Sequence, residues 1–126
     1  MKSLAAIALS FVLASCATIA PPAPAGTIDH VVLMWLKRPG NAADRQAILA
    51  ACSDLRVIPG ITLLDAGTAL ASDRPVVDDS FDIGLTVRFV SAKALDGYES
   101  DALHMRKVNE VLKPLTRKIL VYDITR

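Results

Sequence analysis

The sequence predicts a single α+β domain in which one four-stranded sheet carries helices on one side only. Three observations lead there. Asp29 to Lys37 is rich in β-branched and aromatic side chains and is followed by Pro39-Gly40, the pattern of a strand ended by a turn. Phe81 to Val90 alternates cleanly, with Ile83, Leu85, Val87 and Phe89 on one face and Asp82, Gly84, Thr86 and Arg88 on the other, as a strand with one covered face does. Two further stretches, starting near Ala42 and near Ser91, space their apolar residues for helices.

Taken in order, the first strand places His30, Val32, Met34 and Leu36 on one face and Val31, Leu33, Trp35 and Lys37 on the other. Both faces are largely apolar, so this strand belongs at the centre of the sheet. Asn41 is a suitable N-cap for a helix from about Ala42 to Arg56, with Ile48, Leu49, Cys52 and Leu55 on its buried stripe. Ile58-Pro59-Gly60 stops it. A second strand is expected over Ile61 to Gly67, a loop over Thr68 to Ser80, and the third strand over Phe81 to Val90. Ser91 caps a helical region carrying Ala94, Leu95 and Tyr98, with a break near Ser100 to Ala102. A longer helix through Leu103, Val108, Val111 and Leu112 follows before Pro114, and Ile119 to Ile124 closes the chain as a fourth strand. The order β-α-β-β-α-β is the split βαβ arrangement of ferredoxin-like folds. Its helix-free face is expected to carry Val32 and Met34 and to bind an apolar partner, most economically a second copy of the same sheet.

The domain occupies residues 27–126, and what precedes it has a different composition. Lys2 and the apolar run Leu4 to Leu13 have the make-up of a signal-peptide core over residues 1–15. Leu13-Ala14-Ser15-Cys16 resembles the lipobox of bacterial lipoproteins, which implies cleavage before Cys16 and a lipid on that cysteine; a plain secretory signal with an incidental cysteine is the alternative. Ala17, where an inner-membrane retention signal would place Asp, implies the outer membrane facing the periplasm. Residues 16–26, with Pro21, Pro22 and Pro24, read as a tether.

The chain has 14 Lys and Arg against 13 Asp and Glu. Such a balance offers no basic stripe for nucleic acid, so the lipid would make the membrane contact. With Cys16 committed to lipid, Cys52 has no partner within the chain and reads as a small core residue. No Gly-rich phosphate loop, metal-spaced ligand set or nucleophile beside a base occurs, so no cofactor is expected.

His30-Val31-Val32-Leu33, Ile58-Pro59-Gly60-Ile61, Gly67, Leu85 to Phe89 with Ser91-Ala92-Lys93-Ala94-Leu95, Tyr98, His104 and Val121-Tyr122-Asp123 together resemble a Dabb domain, the stress-responsive dimeric α/β-barrel family. The resemblance covers Asp29 to Arg126 and implies a homodimer. One plant member folds a linear polyketide into an aromatic acid with a strand-one histidine, a tyrosine and a second histidine. These fall on His30, Tyr98 and His104, with the same tyrosine-to-histidine spacing. That enzyme lines its pocket with aromatic residues on the first helix, where this chain has Ala47, Ile48 and Ala51, and it has an aromatic where this chain has Lys107.

Without the family, each of the chain's 2 histidines has an ordinary structural role open to it: bonding a loop carbonyl or fixing a helix start. Tyr98 on a helix face is commonly core. Together they would make a polar end to an apolar cavity walled by Val32 and Met34, the usual build of a small-molecule site. Two function classes follow. One is a lipid-anchored dimer that binds a small apolar molecule without turnover, the reading that the thin first-helix lining favours. The other is a cofactor-free cyclase, isomerase or oxygenase in which His moves a proton and Tyr98 steadies an enolate.

Overall fold

The computed structural model describes residues 20–126; Cys16 and the leader assigned to residues 1–15 lie outside them. The elements run β1 (Ile28–Leu36), α1 (Ala42–Asp54), β2 (Ile61–Thr68), β3 (Ile83–Phe89), α2 (Ala92–Glu99), α3 (Ala102–Lys107) and β4 (Thr116–Thr125). A π-helical turn (Val108–Leu112) and one last helical turn, α4 (Lys113–Leu115), join α3 to β4. The four strands form one antiparallel sheet in the order β2-β3-β1-β4, which is the expected ferredoxin-like topology with β1 inside.

Side chains fix the element ends. Asn41, Ser91 and Asp101 cap α1, α2 and α3 by accepting from Asp44 N, Ala94 N and Leu103 N, each satisfying a donor that the first helical turn leaves free. β3 starts two residues later than the alternation predicts because Asp82 turns aside. Its carboxylate accepts from the backbone N–H of Leu36 at 2.9 Å and of Gly40 at 2.8 Å, pinning the turn that follows β1. β4 begins at Thr116, earlier than expected, because its pairing with β1 continues through an irregularity between Trp35 and Leu36 to the Leu36–Thr116 pair. Lys118 in that stretch lies over the Trp35 ring at 4.2 Å.

The core lies between the sheet and the helices, and it corrects one expectation. Val32 and Met34 are not on the helix-free face; they are 5% and 0% exposed and pack with Ile48, Cys52, Leu55 and Tyr98. The register explains it. Val32 pairs with Leu85 and Met34 with Ile83, so the His30 row of β1 continues the apolar row of β3, and the helices cover both. Burying such side chains stabilises the fold by roughly 1.5–3 kcal/mol apiece. The free face instead carries Val31, Leu33, Gly84, Thr86, Asp65 and Gly67, which line a furrow of about 370 Å³.

At one end of that face Asp29 accepts from both Arg88 and Arg126. Hydrogen bonds from Arg88, with Arg126 behind, outweigh the cost of burial and hold the Asp29 carboxyl down at about 2. The same Arg126 exchanges backbone hydrogen bonds with Gly26 and Thr27. The start of the folded domain is thereby tied to Arg126, directly after β4.

Gly60 sits at φ +88°, and a Cβ there would lie 2.6 Å from the Cβ of Ala94 on α2. Gly60→Ala is therefore both strained and obstructed, and it should lose about 1–3 kcal/mol in urea unfolding. An unchanged midpoint would mean that the turn does not rest on α2.

Candidate functional site

β1, α2 and α3 bring His30, Tyr98 and His104 together on the covered side of the sheet. His30 projects from β1 in the row of Val32 and Met34, and the helix-facing direction of that row is what lets it meet a helix at all. Its ring stands edge-on to Tyr98, with centroids 5.9 Å apart at 68°, and to Phe89 at 6.2 Å. Tyr98 packs in turn on His104, centroid to centroid at 4.2 Å. His30 and Tyr98 are 5% and 2% exposed, while His104 is partly exposed. The break at Ser100-Asp101 makes the second contact possible. Asp101 starts α3 afresh by accepting from the N–H of Leu103 and His104, which turns His104 back over Tyr98.

A fourth group completes the cluster, and sequence reasoning did not single it out as a site residue. Asp123 on β4 lies directly opposite His30 in the β1–β4 register, and its Oδ1 is 2.6 Å from His30 Nδ1. A carboxylate only accepts, so Nδ1 carries the proton and, in the neutral ring, Nε2 keeps its lone pair. The signal was in the sequence. Asp123 is the one charge in the row Ile119, Val121, Asp123, whose other members are apolar.

His104 follows the same logic, with Nδ1 donating to the carbonyl of Glu99 at 3.3 Å. Both imidazoles therefore spend Nδ1–H on the protein and leave Nε2 as an acceptor. Burial is the main force on their neighbour Tyr98 and raises its pKa far above the ordinary phenol value, so it stays a protonated donor. The Cys52 thiol is likewise pushed up by burial to about 11, consistent with a core residue. Lys107 lies outside the cluster, with its ammonium bonded to Asp54 at the end of α1. Val32 and Met34, expected to wall a ligand cavity, belong to the packed core beneath His30. A cleft of about 440 Å³ is lined among others by Pro59, Gly60, Ala94, Gly97 and Asp101, and His30, Tyr98 and His104 are not part of its lining.

Burial holds the His104 pKa below its ordinary value of 6.5, His30 acts in the same direction, and the Glu99 carbonyl opposes. A folded-state value below the unfolded one means stability that is complete above the unfolded pKa and lost as pH falls through the folded one. The protein should thus lose stability as pH drops below 6.5, and His104→Gln should flatten that part of the denaturation profile. Parallel profiles for the two proteins would show that His104 is not held in its neutral form.

The chain over residues 28–126 matches the family model described as Stress responsive A/B Barrel Domain. No curated protein matches it. Among solved structures, a Dabb family protein with a ferredoxin-like fold from Mesorhizobium loti is 24% identical, with TM-score 0.67, over 80% of this chain and 97% of that one. A hydroxynitrile lyase from Passiflora edulis is 19% identical, with TM-score 0.70, over 82% and 95%. A dimeric protein of unknown function from Bacteroides fragilis is 16% identical, with TM-score 0.65, over 80% and 97%. The family match spans the whole folded domain, from β1 to the last residue, and the chain belongs to the stress-responsive A/B barrel (Dabb) domain family.

Proposed function

We propose that this protein is a lipid-anchored homodimer of the bacterial cell envelope, held at the outer membrane through Cys16, that binds a small, largely apolar molecule at the His30, Tyr98 and His104 cluster. The observation that carries the reading is the contact of those rings on one side of the sheet, with His30 oriented by Asp123. Oriented polar groups set in apolar surroundings are how a protein recognises one functional group on an otherwise apolar ligand. Dimeric relatives of the same fold from Bacteroides fragilis and Thermobifida fusca support the homodimer.

Asp123 also favours a second reading, proton-transfer chemistry without a cofactor. With Nδ1–H donated to the carboxylate, His30 Nε2 is free to take a proton from a carbon acidified by a neighbouring carbonyl. The electron pair left behind moves to the carbonyl oxygen, where the un-ionised Tyr98 hydroxyl donates to the developing enolate. The hydroxynitrile lyase among the structural neighbours is an enzyme on this same fold.

Native mass spectrometry of the protein extracted from its host's membranes tests the main reading in one spectrum. A dimer is expected, with a lipid mass on Cys16 and a small-molecule adduct. His30→Ala or His104→Ala should weaken retention of the adduct by about 1–3 kcal/mol, the worth of one lost polar partner. An adduct-free wild-type dimer would remove the binding role, and a free Cys16 thiol would remove the anchor.

A further inference from the structure

The tether enters the domain along a fixed path at one end of the sheet. Pro21 and Pro22 lie beside Leu63, near the start of β2, and Val90, directly after β3, around a space of about 600 Å³. The backbone N–H and the hydroxyl of Thr27 both donate to the carbonyl of Pro24, at 3.3 and 2.8 Å, and the prolines stiffen what comes before. The turn that follows α1 is at this end too, since the N–H of Val90 donates to the carbonyl of Gly60 at 3.0 Å. So is His30, near the start of β1.

Cys16 stands five residues before Pro21, so a lipid on it is attached within about 18 Å of this end even at full extension. β1 has 9 residues and at the rise of a strand is about 30 Å long, with the β2–β3 loop beyond its far end. We infer that the domain stands on the membrane with the tether end down, and that Val57, Val90, Arg56 and Lys93 meet the phospholipid headgroups. This rests on the lipid anchor proposed above and not on the homodimer. Val57 and Val90 are 77% and 52% exposed. Arg56 and Lys93 are exposed as well, and among the described residues neither belongs to an ion pair. Apolar side chains with cations beside them suit anionic headgroups over acyl chains. The far loop also exposes apolar residues, Leu70 and Val76, but sets them among Asp73, Asp78 and Asp79, which such headgroups repel. Single exposed valines need no partner; the root of the tether decides which end meets the bilayer. The ring cluster then sits on the membrane side of the domain, nearest to molecules that dissolve in lipid.

Fluorescence quenching in vesicles tests the orientation. In the full chain purified from its host's membranes, lipid on Cys16 blocks that thiol and Cys52 is fully buried, so an introduced cysteine takes the label. Val57→Cys, Val90→Cys and, at the far end, Val76→Cys are made singly and labelled with bimane. Each is reconstituted into vesicles of phosphatidylethanolamine and phosphatidylglycerol that include a lipid with a nitroxide on its headgroup. Bimane at positions 57 and 90 is expected to be quenched severalfold more strongly than at 76. Equal quenching at the three positions, whether strong or absent, or stronger quenching at 76, would overturn the orientation and leave the anchor standing. Protein that lacks a lipid mass on Cys16 and does not float with the vesicles would overturn the two together. Val57→Cys reads the tether end alone should Val90→Cys fail to fold.

Discussion

The antiparallel pairing of β1 between β3 and β4 is the constraint on which the rest of the structure depends. A strand with neighbours on both sides has no freedom of register, because a slip by one residue would exchange its two side-chain rows. The row Val32, Met34, Leu36 continues the apolar row of β3, so this row faces the helices. His30 belongs to the same row and is carried under them with it. A polar ring in that layer must find a partner, since an unpaired buried donor or acceptor costs about 1–3 kcal/mol. The register with β4 supplies one by setting Asp123 across from it.

The cluster is therefore produced by the same pairing that builds the core. Phe89 and Tyr98, with centroids 5.0 Å apart, belong to the core and to the surroundings of His30 at once. The restart of the chain at Asp101 adds His104 on the far side of Tyr98. Local order of this kind, set by a helix cap and a strand register, positions side chains more firmly than a loop would. It also sets the chemical character of the groups: two imidazoles with Nδ1–H engaged and a phenol that burial keeps protonated.

Most of the fold was legible in the sequence because the alternation in β3, the caps Asn41 and Ser91 and the Pro59-Gly60 stop are local signals with local causes. The direction in which β1 faces was not. Both of its rows are apolar, so alternation alone leaves two choices, and only the pairing with β3 selects the one that buries Val32 and Met34. His30, Tyr98 and His104 were expected to open on one cavity; their rings meet through Tyr98 on the covered side of the sheet, and the cleft of about 440 Å³ is not lined by them. Asp123 was visible as part of a family pattern, but its contact with His30 spans 93 positions of chain and depends on a strand register that no local pattern specifies. The π-helical turn at Val108–Leu112, inside what reads as a regular helix, left no comparable mark.

The central claim is that Asp123 fixes His30 with Nδ1 protonated and Nε2 free. Nitrogen-15 NMR of the imidazoles at a pH above the histidine range reads it directly. The account predicts a single Nδ1–H tautomer for His30 in the wild-type protein and, in Asp123→Ala, a shift towards the Nε2–H form that free imidazole prefers. An Nε2–H tautomer in the wild type, or a spectrum that Asp123→Ala leaves unchanged, would contradict it.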